Sequence, residues 1–254
     1  MQAVDKKLED FFRENRKIAI AFSGGVDSSY LLYAAVQCKI DVTAYYVNSA
    51  FQPEFELKDA KRIAEITGGR MKVIEVDVLR NEKVVENPSN RCYFCKQSIF
   101  STILEHAKAD GYTMVVDGTN ASDDSTDRPG MKALQEMQVR SPLRECGLTK
   151  KKIRELSKQA GLFTWSKPSY ACLATRIPSG TAITAEMLER TERAENFLFS
   201  LGFANFRVRL LNKDIAKLQM PKEALELLME KREEILTELK KDYFDVLLDL
   251  EVRG

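Results

Sequence analysis

The sequence SGGVDSS at residues 23–29 separates an apolar run at residues 18–22 from a helical pattern at residues 30–36. A strand, a glycine turn and a helix in this order form an anion site. The first amides of the helix point at the anion, and the helix dipole adds its positive end. Glycine lets the backbone pass close to the anion. The stretch therefore predicts a phosphate-binding loop, and the alternative is a serine-capped turn that binds nothing.

The candidate ligands in this loop are backbone amides and hydroxyl groups, together with one carboxylate that could hold Mg²⁺ beside the phosphates. The predicted phosphate-binding residues are Ser23, Gly24, Gly25, Ser28 and Ser29. The carboxylate is Asp27, which we also predict to be catalytic. The loop has neither the Walker pattern nor GxGxxG, which excludes those two nucleotide-binding motifs.

The composition excludes several classes of protein. The 254 residues carry 39 basic and 38 acidic side chains, and the resulting net charge of +1 exerts no general attraction on nucleic acid. The chain has no apolar run as long as a membrane span, and its first residues lack the apolar core of a signal peptide. We therefore expect a cytoplasmic protein with five reduced cysteines and with neither a nucleic-acid nor a membrane partner.

Predicted strands alternate with predicted helices in the first half of the chain. The strands are expected at residues 17–22, 41–47, 71–76 and 113–116. This alternation indicates an α/β protein with a doubly wound, mostly parallel sheet. Ligands of such sheets bind at the carboxyl ends of the strands. Asn48 follows the second strand and is placed to meet adenine, while Gly118, Thr119 and Asp124 lie in a polar loop after the fourth.

The character of the sequence changes after Gly180. The pattern predicts helices at 184–201 and 221–240 and strands at 206–211 and 243–252, which is typical of a small α+β appendage. We therefore predict two domains, residues 1–180 and residues 181–254. Between the fourth strand and this appendage, residues 140–143 are predicted to be strand-like and residues 149–160 helical.

Three cysteines form a pattern that permits several interpretations. Cys92 and Cys95 stand three apart at the start of a predicted helix, and Cys172 lies in a distant loop. A thioredoxin-like dithiol needs only the pair, but the glycine loop has no place in that fold. A structural zinc site would need Cys146 as its fourth ligand. Three thiolates around an iron–sulfur cluster would leave one iron open, and three unrelated buried residues are the remaining alternative.

Six motifs spread over residues 17–211 share one resemblance. They are Ser23-Gly24-Gly25-Val26-Asp27-Ser28, Arg91-Cys92-Tyr93-Phe94-Cys95-Lys96, Asp117-Gly118-Thr119-Asn120, Arg128-Pro129-Gly130, Ser141-Pro142-Leu143 and Ala171-Cys172-Leu173-Ala174-Thr175-Arg176. The first resembles the SGGxDS loop (PP-loop) of the N-type ATP pyrophosphatases, and together they closely resemble the LarE family of ATP-dependent sulfur transferases. The resemblance implies a PP-loop fold of the adenine nucleotide alpha hydrolase type. It also implies adenylation of a carboxylate of pyridinium-3,5-biscarboxylic acid mononucleotide and its conversion to a thiocarboxylate, in nickel-pincer nucleotide synthesis.

The resemblance also implies roles for individual residues. The enzyme would bind ATP together with Mg²⁺, and Asp27 and Asp124 are the candidates for holding the Mg²⁺ ion. Some members of the family use one cysteine, at the position of Cys172, which gives up its own sulfur and becomes dehydroalanine. Others carry two further cysteines and are thought to use a 4Fe-4S cluster. The presence of Cys92, Cys95 and Cys172 implies the cluster type, with Cys172 catalytic.

Three arginines are candidates for holding the phosphate and carboxylates of an anionic nucleotide, because guanidinium groups form forked hydrogen bonds with such groups. They are Arg176, which we predict to be catalytic, Arg207 and Arg209. The last two alternate with apolar residues in a predicted strand and so point to one face. A solvated strand face is the alternative for that pair. Glu195, on the preceding helix, could orient these arginines.

Other functions remain open at this point. A tRNA thiolase would use the same loop, although the near-zero net charge argues against RNA. An amide-forming ligase similar to NAD or GMP synthetase would leave the cysteines without a role, and a non-catalytic nucleotide sensor is the fourth candidate. We expect a small-molecule nucleotide substrate, a homo-oligomer and a possible sulfur donor.

Overall fold

The structure, a computed structural model, describes residues 4–123 and 129–251. Their contacts divide the chain into two compact units. The first unit runs to Val78 and resumes over Asn90–Ser169, and the second unit consists of Leu79–Ser89 and the chain from Tyr170 onward. The division into domains 1–180 and 181–254 stays a prediction.

A four-stranded sheet forms the centre of the first unit. Its strands are β1 (Lys17–Phe22), β2 (Asp41–Asn48), β3 (Arg70–Glu75) and β4 (Val115–Val116). Their order is β3-β2-β1-β4, and every neighbouring pair is parallel. The chain passes outward from β1 to β3 and then crosses to the other side of β1, so its direction reverses between β1 and β4. The predicted doubly wound α/β fold is confirmed.

Helices connect these strands. In the first unit they are α1 (Lys6–Glu14), α2 (Val26–Gln37), α3 (Glu54–Thr67), α5 (Arg91–Ala109), α6 (Pro129–Glu136), α7 (Pro142–Glu145) and α8 (Lys150–Gln159), whereas α4 (Glu82–Val85) belongs to the second unit. Local signals set several boundaries. The Asp5 carboxylate accepts from the amides of Lys7 and Leu8 at the start of α1. Gly68, with φ of +69°, ends α3 as a left-handed cap.

The prediction of a strand over residues 140–143 is wrong beyond its first residue. Arg140 forms a single parallel bridge with Val116. Pro142 then opens α7 at its first helical position. Proline has no amide hydrogen to donate to a neighbouring strand, and its fixed φ suits the first turn of a helix.

The second unit contains a three-stranded sheet and four helices within its described residues. The strands are β5 (Arg207–Leu211), β6 (Ile215–Gln219) and β7 (Asp245–Leu248), and the helices besides α4 are α9 (Ala185–Ser200), α10 (Leu225–Glu230) and α11 (Arg232–Leu239). The order is β5-β6-β7, with β5 and β6 antiparallel and β6 and β7 parallel. This architecture agrees with the predicted α+β character, but the pattern missed β6 and predicted one helix where α10 and α11 stand.

Residues 79–89 belong to the second unit because Asn87 ties them to it. The buried Asn87 amide donates to the carbonyls of Pro178 at 2.9 Å and Thr181 at 3.2 Å. The amide of Gly180 donates to the carbonyl of Asn87 at 2.8 Å, and that of Ile183 to the carbonyl of Val85 at 2.8 Å. A segment that precedes α5 in the chain is therefore built into the unit that follows residue 169.

Candidate functional site

The loop at residues 23–29 leaves β1 at its carboxyl end and opens α2, which begins at Val26. Gly24 has φ of +71°, and a Cβ there would lie 3.1 Å from the Cβ of Ala60. Both facts favour glycine at this position. The hydroxyls of Ser23 and Ser28 lie 3.1 Å apart, and Ser28 also donates to the carbonyl of Gly25 at 3.3 Å. The side chains therefore hold the loop in shape around the first amides of α2.

The loop after β4 packs directly against the start of α2. A Cβ on Gly118 would lie 2.9 Å from the amide nitrogen of Ser28, so only glycine permits this approach. The carboxylate of the buried Asp117 accepts from the amide of Thr119 at 3.1 Å and from the hydroxyl of Ser141 at 2.7 Å. The two loops at the point where the sheet reverses thus form one surface, where ligands of such sheets bind.

Asp27 carries the carboxylate of this surface. One of its oxygens forms an ion pair with the ammonium of Lys150, whereas Oδ1 is buried and has no hydrogen-bond partner within the described residues. Burial raises the pKa of Asp27, and the nearby Lys150 opposes that rise. A buried carboxylate oxygen without a partner fits the predicted role of a Mg²⁺ ligand. Sequence reasoning missed Lys150, and nothing local distinguishes it from the lysines that follow it.

The remaining candidates near the loop have different surroundings. Ser29 is buried, and its hydroxyl has no partner among the residues that the structure describes. Asn48 is the last residue of β2, and its side-chain amide donates to both carboxylate oxygens of Glu75 at 3.0 and 3.1 Å. Asp124 lies outside the described residues. The adenine-binding role of Asn48 and the Mg²⁺-binding role of Asp124 stay predictions.

The second unit contains a buried group of charged side chains around Glu195. Arg176 donates to its two oxygens from Nε at 2.8 Å and from Nη2 at 2.9 Å, and the Tyr170 hydroxyl and the Val208 amide also donate to Glu195. Burial acts to lower the pKa of Arg176, but the paired carboxylate outweighs it and raises that pKa. Arg176 therefore remains charged and bound to Glu195.

Two further arginines reach the segment at residues 170–176. The guanidiniums of Arg176 and Arg207 lie over the ring of Tyr170, 4.5 and 4.8 Å from its centroid. Arg209 donates to the Thr175 carbonyl at 2.8 Å. Burial raises the pKa of Tyr170, so its hydroxyl stays neutral. Arg207 is buried, so this end of the strand is not a solvated face.

The three predicted metal-binding cysteines are divided between the units. Cys92 and Cys95 lie one helical turn apart at the start of α5 in the first unit, Cys92 exposed and Cys95 half-buried. The half-buried Cys172 belongs to the second unit, and its carbonyl accepts from Arg176 Nη1 at 3.2 Å. Within residues 4–123 and 129–251, no group of three or more His, Cys, Asp and Glu side chains is arranged to hold a metal ion. The iron–sulfur cluster therefore stays a prediction.

Cys38 and Cys146 pack instead against the apolar core of the first unit. Burial raises the pKa of both thiols, that of Cys146 to about 11. This environment suits structural cysteines. No helix in the described part of the chain combines the length and the apolarity of a membrane span.

Comparison with known proteins identifies relatives over most of the chain, although no family model matches it. "Uncharacterized protein slr1717" of Synechocystis sp. is 38% identical over 225 residues, 87% of this chain and 82% of that protein. Pyridinium-3,5-bisthiocarboxylic acid mononucleotide synthase of Lactiplantibacillus plantarum is 32% identical over 211 residues, 82% of this chain and 76% of that protein. A more distant relative, tRNA-specific 2-thiouridylase MnmA of Pseudothermotoga lettingae, is 29% identical over 59% of this chain and 54% of its own length.

Proposed function

This chain belongs to the LarE family, and from that premise we propose that it is an ATP-dependent sulfur transferase of nickel-pincer nucleotide synthesis. Its substrate would be pyridinium-3,5-biscarboxylic acid mononucleotide, one carboxylate of which becomes a thiocarboxylate. The observation that carries the proposal is the phosphate loop at the reversal point of the sheet, where Gly118 packs against the amide of Ser28. The 32% sequence identity to the L. plantarum synthase supports the choice of substrate.

The first step would activate the carboxylate. A carboxylate oxygen of the substrate attacks the α-phosphorus of ATP, the bond between the α-phosphorus and the bridging oxygen breaks, and pyrophosphate leaves with the bonding electrons. The amides at the start of α2 would stabilise the charge that develops on pyrophosphate. Asp27 would hold Mg²⁺, which when bound neutralises phosphate charge. This step requires AMP and pyrophosphate as the products of ATP.

The second step would replace AMP by sulfur. A sulfur nucleophile attacks the carbonyl carbon of the acyl adenylate, and the C–O bond to AMP breaks. We propose that Cys92, Cys95 and Cys172 would hold a 4Fe-4S cluster that supplies this sulfur when bound. Arg207 and Arg209 are proposed to hold the phosphate and carboxylates of the nucleotide substrate, since guanidinium forks match both groups.

Arg176 would act less directly. Two of its nitrogens bind Glu195, and the third donates to the carbonyls of Ala171 and Cys172. We propose that it positions the segment that carries Cys172. The enzyme is proposed to work in the cytoplasm as a homo-oligomer that receives sulfur from a separate donor.

Phosphorus NMR of the purified protein with ATP, Mg²⁺ and the biscarboxylate mononucleotide tests the activation step. We expect AMP and pyrophosphate, and ADP as the main product would refute the proposal. Mass spectrometry of the mononucleotide should show one oxygen replaced by sulfur. Transfer of sulfur to tRNA instead would favour an activity like that named for the MnmA relative.

Anaerobic purification tests the cluster. We expect iron and sulfide in the protein, and serine at Cys92, Cys95 or Cys172 should sharply reduce both. Cys38→Ser is the matched control, because Cys38 packs against the core of the first unit. Iron-free protein that loses one H₂S from Cys172 after turnover would instead establish a sacrificial cysteine.

A further inference from the structure

Lys150 links two loops of the first unit that are far apart in the sequence. Its backbone amide, at the start of α8, donates to the hydroxyl of Ser122 in the loop after β4, over 3.0 Å. Its ammonium pairs with Asp27, which lies 123 positions earlier in the first turn of α2. One lysine therefore reaches both sides of the surface that we propose to bind ATP.

The ion pair with Lys150 compensates only part of the free-energy cost of burying the Asp27 carboxylate. The Asp27 side chain is 18% exposed, and its Oδ1 is buried with no hydrogen-bond partner in the described residues. Asp123 adds a further negative charge to these surroundings, and Arg154 on α8 adds a positive one. Burying a carboxylate oxygen without a partner costs free energy. The site can therefore accept another positive group at Asp27.

The helix that carries Lys150 does not depend on this ion pair for its position. The Thr149 hydroxyl caps α8 by accepting from the amide of Lys152 at 3.3 Å. Arg154 fastens the same helix to the carbonyl of Lys167 at 2.8 Å. The Lys150 side chain is one-third exposed, and lysine carries its charge on a flexible four-carbon stem. The ammonium can thus leave Asp27 while α8 stays in place.

We propose that Lys150 is a placeholder cation of the ATP site. In the free enzyme, the Lys150 ammonium neutralises the Asp27 carboxylate. The divalent cation that accompanies ATP displaces this ammonium from Asp27. The ammonium then contacts the phosphates of ATP. This inference rests on the proposed function, because it takes the loop at residues 23–29 as the ATP site. It accounts for a carboxylate that, among the residues that the structure describes, has a partner on one oxygen only.

Lys150→Met tests the proposal, since methionine keeps the apolar stem and removes the charge. Titration with Mn²⁺ alone, followed by electron paramagnetic resonance, should show about tenfold tighter binding than in the wild type, because the competing cation is gone. Calorimetric titration with ATP in Mg²⁺ should show binding about tenfold weaker, because a charged hydrogen bond to phosphate is lost. Lys150→Arg retains a cation and should bind Mn²⁺ as the wild type does.

Lys152→Met is the matched control, at an exposed position of the same helix, and should leave both affinities and the melting temperature unchanged. A wild-type protein that fails to bind Mg²⁺-ATP would refute the proposed function itself. If the wild type binds ATP and Lys150→Met has both wild-type affinities, the placeholder role alone is wrong. Unfolding of Lys150→Met, or weaker binding of both Mn²⁺ and ATP, would make the pair structural and would also overturn the inference.

Discussion

Arg176 and Glu195 form a forked ion pair in which each side chain is no more than 1% exposed. The third nitrogen of the guanidinium donates to the carbonyl of Ala171 at 2.7 Å and to that of Cys172 at 3.2 Å. The buried face of the helix α9 is thereby connected to the backbone on which Cys172 stands. The position of this cysteine depends on a charge pair and not on apolar packing alone.

Glu195→Gln is expected to destabilise the second unit strongly. The substitution leaves the Arg176 charge buried without its counterion, and breaking a buried pair in this way costs about 3–5 kcal/mol. Urea unfolding followed by circular dichroism measures the loss. Glu189→Gln, at an exposed position of α9, is the matched control and should change stability little. A loss in Glu195→Gln no larger than in the control would contradict the role assigned to the pair.

Gly118→Ala should disrupt the phosphate loop. The new methyl group would lie 2.9 Å from the Ser28 amide nitrogen and 3.2 Å from its Cα, and neither backbone atom can move without shifting α2. We expect ATP binding to weaken by more than about tenfold, measured by calorimetry. Gly130→Ala is the control, because the three atoms nearest to its methyl group would all belong to the flexible side chain of Lys96. Equal ATP affinity in the two variants would show that the close approach of Gly118 is dispensable.

The cysteines should differ in reactivity with iodoacetamide. Burial raises the pKa of Cys146 to about 11, so at pH 8 only about one molecule in a thousand carries the reactive thiolate. Its alkylation rate should therefore rise with pH up to about 11. Cys92 is exposed and should be labelled early. Peptide mass mapping over a pH series checks the order, and rapid labelling of Cys146 at pH 8 would contradict it.

Asn87 should stabilise the second unit through its side-chain amide. Asn87→Gly tolerates the φ of +53° but removes the bonds to the carbonyls of Pro178 and Thr181, and we expect a loss of about 1–3 kcal/mol. Asn87→Ala should lose more, because alanine also strains the left-handed backbone. Urea unfolding and limited proteolysis near residues 177–183 measure both effects. Wild-type resistance to protease in both variants would refute the anchoring role.

Local signals determined much of the first unit. The strand β1 is observed over the predicted residues 17–22, and Gly68 and Thr149 cap α3 and α8. The glycine loop also follows from the sequence, because the turn and the helix start both arise within a few residues. Such signals suffice where the interacting groups are neighbours in the chain.

Local patterns do not predict the structure where longer-range packing decides it. The pattern predicted one helix over residues 221–240, which is divided between α10 and α11, and it missed β6, which pairs on both sides with other strands. Asn212 and Lys213 adopt positive φ between β5 and β6 although neither is glycine. A turn of this kind is stabilised by the two strands that it joins, so the residues of the turn do not by themselves indicate it.

The sequence by itself therefore determined the alternation of strands and helices in the first unit, the glycine loop at residues 23–29 and the residue types available for chemistry. Only the tertiary structure decided which distant residues meet. Lys150 pairs with Asp27 across 123 positions, and residues 79–89 join a unit that otherwise begins at Tyr170. The physical reason is that caps and turns depend on groups a few bonds apart. Ion pairs and sheet order depend on the path of the whole chain, which no local pattern encodes.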